Sequence, residues 1–196
     1  MIVPVPDSGV PAALGFAEKS KKNFELGLIR NHYVGRTFIE PTQNIRSLGV
    51  KLKLSATNTI VKNKSIILID DSLVRGTTCN KIVKMLFENG AKNVHVRIAC
   101  PQIKYPDFYG VDMPDKKELL ANEKNINQMC GYINATTLKF LSLEGMYTAL
   151  IGEKRNSNYP QFSDHYFTGD YPIKPEDKLK NVKINQLSLL SGKSSV

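Results

Sequence analysis

No stretch of this sequence is apolar for long enough to cross a bilayer. Runs such as Ser65-Ile66-Ile67-Leu68-Ile69 fall far short of the roughly 20 residues that a spanning helix needs. No signal peptide is expected from the opening residues, because Asp7 follows the first apolar residues almost at once and no basic stretch precedes them. Cysteine is scarce. Cys79, Cys100 and Cys130 are scattered without a CxxC pair, which argues against a zinc site or a disulfide framework and predicts reduced, partly buried thiols. The formal charge is +9, yet the basic residues form no run of five or six. Such a balance is compatible with nucleic acid but equally with a polyanionic small molecule, which also needs lysines and arginines. No internal repeat is present. These absences predict a cytoplasmic protein with no membrane partner, and 196 residues suit one domain with a real core.

What remains reads as alternating strands and helices. Ile2-Val3-Pro4-Val5-Pro6 predicts a short strand ending in a turn, and Pro11 sits near the start of an apolar helix, Ala12 to Ala17, where a missing N–H is harmless. Phe24 to Ile29 predicts a second strand and the Ile60-Val61 pair another, with Lys62-Asn63-Lys64 as the turn after it. Ile66 to Ile69 is a continuous, branched apolar run that fits a buried parallel strand. A helix with Ile82, Val83, Leu86 and Phe87 on its apolar side follows and ends at Gly90. Val94 to Cys100 alternates like a strand. Leu138 to Leu141 predicts one more strand, before a helix capped by Ser142 that carries Leu143, Met146, Tyr147, Leu150 and Ile151. Beyond Thr168 the pattern fades, and Ser191 to Val196 reads as frayed. The alternation implies an α/β fold, an open and mainly parallel sheet flanked by helices.

The strongest chemical signal is Ile66-Ile67-Leu68-Ile69-Asp70-Asp71-Ser72-Leu73-Val74-Arg75-Gly76-Thr77-Thr78. Ligands of open parallel sheets bind outside the carboxyl ends of the strands, and two acids sit there. Their charge suits ribose hydroxyls and a hard cation such as magnesium. The bend beyond them offers Gly76 for close backbone approach, two threonine hydroxyls and the start of a helix, all suited to a phosphate. It is not a Walker loop, because no lysine follows the glycine. Pro4-Val5-Pro6-Asp7-Ser8-Gly9 is a second, weaker anion-site candidate at a strand-to-helix turn. Residues 30 to 58 form a long polar connection with Arg30, Arg36, Arg46, Lys51 and Lys53 against a single acid, Glu40. Long connections of this kind are functional or disordered.

The Asp70–Thr78 string resembles the 5-phosphoribosyl-1-pyrophosphate (PRPP) motif of type I phosphoribosyltransferases. Asn31-His32-Tyr33-Val34-Gly35-Arg36-Thr37-Phe38-Ile39, continued by Val50-Lys51-Leu52-Lys53-Leu54, is similar to the loop that closes over PRPP in amidophosphoribosyltransferases. The likeness extends through Phe108-Tyr109-Gly110-Val111-Asp112-Met113-Pro114, Glu118-Leu119-Leu120-Ala121 and Phe167-Thr168-Gly169, and covers roughly Ile2 to Pro172. It implies the type I phosphoribosyltransferase fold over residues 1–172, with 173–196 as a C-terminal tail. It further implies that Asp70 and Asp71 meet the ribose hydroxyls and Mg²⁺, that Ser72 is among the PRPP-binding residues, that Arg75, Gly76, Thr77 and Thr78 cradle the 5-phosphate, and that Asp7 and Ser8 lie at the pyrophosphate, Ser8 near the metal. Tyr33, Arg36 and Lys53 would fold over the pyrophosphate, neutralise it and exclude water.

The implied reaction joins PRPP and ammonia into 5-phosphoribosylamine and pyrophosphate, the opening step of purine biosynthesis. Family members carry an N-terminal glutaminase domain that supplies the ammonia, and they are homo-oligomers. No glutaminase segment is recognisable here, and Met1-Ile2 offers no nucleophile, so a separate glutaminase domain or subunit is an expected partner. A truncated, non-catalytic PRPP-binding module or remnant is the alternative. No DNA-reading element is evident, and nucleic acid is not an expected partner. Some members bind a four-iron cluster through cysteines in the segments matching Asp107 and Tyr159 to Tyr166. None is cysteine here, so no iron–sulfur cluster is expected. His32 stands where the family usually has arginine, and it is mostly neutral at pH 7.

Overall fold

The computed structural model describes residues 1–31, 54–111 and 115–173. Along the described chain the elements are β1 (Ile2–Pro4), α1 (Val10–Ser20), β2 (Leu28–Arg30), β3 (Leu54–Ala56), α2 (Asn58–Val61), β4 (Ser65–Asp70), α3 (Thr77–Glu88), β5 (Asn93–Ile98), a 3-10 turn (Lys116–Glu118), α4 (Leu120–Glu123), α5 (Ile126–Tyr132), β6 (Thr137–Phe140), α6 (Leu143–Ile151) and α7 (His165–Thr168). The main sheet has the order β1-β4-β5-β6, and every pairing in it is parallel. A separate antiparallel pair, β2 and β3, matches Arg30 with Leu54.

The strand β4 explains the two-layer core. Successive side chains of a strand face opposite sides of its sheet. Ile66 and Leu68 join Val94, Val96 and Ile98 of β5 against Ile82, Val83 and Leu86 of α3. Ile69 instead joins Ile2 and Ala13 of α1, with Ile67 and Phe16 packed beside them. A strand buried on both sides has no polar alternation to show, which is why its apolar run is continuous. Ile66, Leu68 and Val94 are wholly buried, and burying each such side chain contributes about 2 kcal/mol.

Two expected strands took other forms. Ile60-Val61 lies in the single helical turn α2, where the Ile60 and Val61 N–H groups both donate to Thr57 O at 2.9 and 3.1 Å. Val61 is wholly buried beside Gly27, and this burial overrides the strand preference of two branched residues. The run from Phe24 to Ile29 is divided. Phe24 makes only a parallel bridge to Ile2, and pairing resumes at Leu28 with β3. A side chain at Gly27 would stand 3.0 Å from Val3 Cγ2 and 3.1 Å from Val61 Cγ1, so glycine lets the chain pass close over β1 and α2 between the two pairings. Phe87, expected on the apolar side of α3, is 37% exposed, while Cys79 is buried.

The C-terminal segment is held by buried polar groups. In α6 the Ser142 hydroxyl caps the helix by accepting from Gly145 N, as its position predicts. Among the apolar residues expected on its inner side, only Tyr147 is buried, and Leu150 and Ile151 are exposed. Tyr147 reaches a polar partner instead of an apolar layer: its hydroxyl donates to Asp164 Oδ2 at 2.8 Å. Arg155 donates to the same carboxylate through Nε at 2.5 Å and to Asp170 through Nη2 at 2.7 Å. Burial pushes the Asp164 carboxyl up, but the hydrogen bonds from Arg155 and Tyr147 outweigh it and hold the group below its usual range.

Removing the cation from a buried pair leaves an uncompensated charge. Arg155→Met is expected to cost about 3 kcal/mol at pH 7, whereas Asp170→Asn, on the exposed arm, costs less than about 1 kcal/mol. An acid with a depressed folded pKa stabilises the fold above the ordinary carboxylate range and loses that contribution as pH falls. Urea denaturation should therefore show the Arg155→Met deficit narrowing in acid.

Candidate functional site

Parallel pairing brings two turns to one edge of the sheet. Pro4 at the end of β1 is in register with Ile69, and Val5 N donates to Ile69 O at 2.8 Å. The turn after β1, which contains a cis Pro6–Asp7 peptide, folds back so that Gly9 N donates to Val5 O at 2.9 Å. A Cβ at Gly9 would stand 2.4 Å from Ile69 O, so only glycine lets this turn rest on the end of β4. Asp7 and Ser8 are left exposed at its tip. The sequence-predicted residues of both turns are thus brought together: Asp7 and Ser8 on one side, Asp70 to Thr78 on the other.

Asp70 closes β4, and its carbonyl accepts from Ala99 N at 2.9 Å. Its carboxylate is nearly buried, at 8% exposure, and Oδ1 accepts from Asp71 N at 3.0 Å. Asp71 points outward and takes Ser72 N and Ser72 Oγ on Oδ1 at 2.7 and 3.2 Å. Burial, with the neighbouring Asp71 charge next in weight, pushes the Asp70 carboxyl up to about 7. The same acidic pair acts on the thiols beside it. The Cys79 thiol is pushed up to about 12 by burial and Asp70, and the Cys100 thiol to about 12 by burial, Asp71 and Asp70. The described cysteines are all free thiols.

The bend after the acids leads straight into α3. Gly76 is the N-cap residue, in the left-handed region at φ 75°, with no side chain to cap the helix. The first N–H groups of a helix lack intrahelical partners and favour an anion. Thr77 and Thr78 lie exposed beside them. A Cβ at Gly76 would meet Leu120 Cδ2 at 2.8 Å and the Tyr132 ring at 3.1 Å. The bend therefore rests on α4 and α5, a support that no local sequence pattern announces. Glu118 was also missed as a site residue. It takes Arg75 Nε on Oε2 at 2.6 Å, across 43 residues of chain.

Arg30 stands at the base of the β2–β3 pair, and its Nη1 donates to Asp7 Oδ2 at 2.5 Å. The strands on either side of the long basic connection are thus tied to the turn after β1. Tyr33, Arg36 and Lys53, together with His32, lie outside the described residues. Among the described residues no group of three or more His, Cys, Asp or Glu could hold a metal ion. A hard cation that keeps its waters and binds through one or two carboxylates plus phosphate oxygens needs no such group. Asp70 and Asp71, two mutually repelling carboxylates, fit it. Where the resemblance puts cluster cysteines, Asp107 Oδ1 instead lies 2.8 Å from His165 Nε2, both side chains being buried. Burial raises the Asp107 carboxyl, but the Val111 and Tyr109 amides and His165 overcome this and hold it at about 2, so Nε2–H is the donor.

An open parallel sheet with an acidic strand end, a glycine bend opening a helix and a second turn beside it defines the type I phosphoribosyltransferase fold. Within that class the chain is a relative of the amidophosphoribosyltransferases. It is 56% identical over 193 residues to the amidophosphoribosyltransferase of Rhizobium etli, matching 98% of this chain and 39% of that protein. The chloroplastic amidophosphoribosyltransferase 2 of Arabidopsis thaliana is 50% identical over 181 residues, 92% of this chain and 31% of its own. The solved glutamine PRPP amidotransferase from B. subtilis, complexed with ADP and GMP, superposes with a TM-score of 0.76 at 46% identity, over 87% of this chain and 37% of that one. The chain thus spans about two fifths or less of the length of these relatives. No family model matches it. No helix among the described residues is long and apolar enough to cross a membrane.

The raised Asp70 carboxyl makes a prediction for the metal-free protein. An acid whose folded pKa lies above its unfolded value costs no stability below the ordinary carboxylate range. The cost grows from about pH 4 to about pH 7 and is constant above. Asp70→Asn is therefore expected to be more stable than wild type at pH 8, by up to about 4 kcal/mol for a shift of about three units. The advantage should vanish below about pH 4 in thermal melts recorded without divalent cations.

Proposed function

We propose that this chain binds PRPP with magnesium and transfers its phosphoribosyl group to ammonia, releasing pyrophosphate and giving 5-phosphoribosylamine. The observation that carries this reading is the meeting of the Asp70/Asp71 strand end with the Asp7–Gly9 turn on one sheet edge. Asp70 and Asp71 orient the ribose by accepting from its hydroxyls, and Ser72 holds Asp71 in place. The α3 N-terminus, with Gly76, Thr77, Thr78 and Arg75, takes the 5-phosphate. Asp7 and Ser8 lie toward the pyrophosphate. Asp70, Asp71 and Ser8 would hold Mg²⁺, which, when bound, supplies positive charge to the leaving pyrophosphate. Tyr33, Arg36 and Lys53 add cationic and hydrogen-bonding groups there and exclude water. Ammonia arrives as a competent nucleophile, so the protein's contribution is positioning and charge stabilisation and no general base is required.

The domain assignment remains residues 1–172 with a C-terminal tail. A glutaminase in a separate domain or subunit is the proposed source of ammonia, and a homo-oligomer acting in the cytoplasm is the proposed setting, although plant relatives bear chloroplastic names. Calorimetry with PRPP and Mg²⁺ is expected to show saturable binding that weakens at least tenfold in Asp71→Asn. A pyrophosphate-release assay with PRPP, Mg²⁺ and ammonium is expected to show turnover. Binding without turnover would favour the non-catalytic PRPP-binding module. No heat with PRPP and Mg²⁺ from well-folded protein would reject the proposal.

A further inference from the structure

The bend that opens α3 is attached to the segment 116–132 at separate points. Leu120 N donates to Val74 O at 2.9 Å. Gly76 lies against the Leu120 and Tyr132 side chains, with no room for a Cβ. Asn80 Nδ2 donates to Tyr132 O at 2.5 Å. The remaining attachment is ionic, from Arg75 Nε to Glu118 Oε2 at 2.6 Å. Glu118 is itself well anchored. Its N–H donates to Asp115 O at 2.8 Å, and the next two residues, Leu119 and Leu120, are buried.

An arginine presents five N–H donors in a rigid fork. Glu118 uses Nε, and among the described residues the two Nη groups have no protein partner. We infer that Glu118 is a positioning residue: it holds the Arg75 guanidinium from behind through Nε and leaves the Nη pair for a phosphate oxygen. The inference rests on the proposal that this bend receives the sugar's phosphate. A competing effect runs the other way, because the Glu118 charge masks Arg75 and repels a phosphate. Both partners are about half exposed, at 51% and 52%, so solvent screening keeps that Coulombic effect small. Geometric restraint on a flexible side chain then dominates, since an arginine already fixed loses less freedom on binding.

The test is calorimetry with ribose 5-phosphate as the probe, on wild type, Glu118→Ala and Glu118→Gln. Positioning predicts about fivefold weaker binding in Glu118→Ala, the loss of one hydrogen bond's worth of order. In Glu118→Gln the amide oxygen still accepts from Nε, so most of the affinity should return. Melting temperatures should agree among the three proteins. In the pyrophosphate-release assay the KM for PRPP should rise in Glu118→Ala while kcat stays within about twofold. Unchanged or tighter binding in both variants, with wild type binding normally, would overturn the role of Glu118 alone. Wild-type protein that binds neither ribose 5-phosphate nor PRPP would remove the proposed site and this inference together.

Discussion

Everything at the candidate site depends on the parallel pairing of β1 with β4. Because the two strands run the same way, their carboxyl ends finish at one edge, and Val5 N on Ile69 O fixes the register there. A shift of one residue would turn Ile67 and Ile69 toward the α3 layer and break both apolar layers at once. The core therefore enforces the register, and the register sets the Asp7–Gly9 turn beside Asp70 and Asp71. Gly9 completes the arrangement, since any side chain there would strike the β4 backbone.

The candidate site sets an acidic pair against an uncapped helix start. Asp70 is nearly buried beside a second carboxylate, and burial with that neighbouring charge pushes its carboxyl up. Next to it, Gly76 leaves the α3 N-terminus without a side-chain cap. The acidic pair and the uncapped α3 N-terminus lie at the two ends of one short loop, an arrangement that suits the proposed cation and phosphate. Perturbed groups of this kind cluster at functional sites.

Away from the site, buried charges are satisfied. Asp164 is surrounded by Tyr147, Arg155 and Thr168, and Asp107 by two amides and His165. These networks lie in the part of the chain where amphipathic reading failed. A helix such as α6, with one buried aromatic and a polar anchor, has no regular apolar stripe to reveal its inner face. The carboxylates there meet a cation, a histidine or a tyrosine, whereas among the described residues Asp70 and Asp71 at the β4 end take only the Asp71 and Ser72 amides and the Ser72 hydroxyl.

The parallel sheet, the acidic strand end, the glycine bend and the cap at Ser142 were legible in the sequence because each is a local matter of spacing, branched residues and turn chemistry. The amino-acid order alone determined that four apolar residues, two acids and a glycine bend follow one another, the pattern from which a sugar phosphate is proposed as the ligand. Tertiary structure decided what local order cannot carry. Val61 became helical because burial against Gly27 outweighs strand preference, and Phe24–Ile29 divided between a bridge to β1 and pairing with β3. Glu118 and Tyr132 came to support the bend across 43 and 56 residues of chain. Contacts between residues so far apart are set by how whole elements pack, and packing leaves no periodic trace in the order of residues.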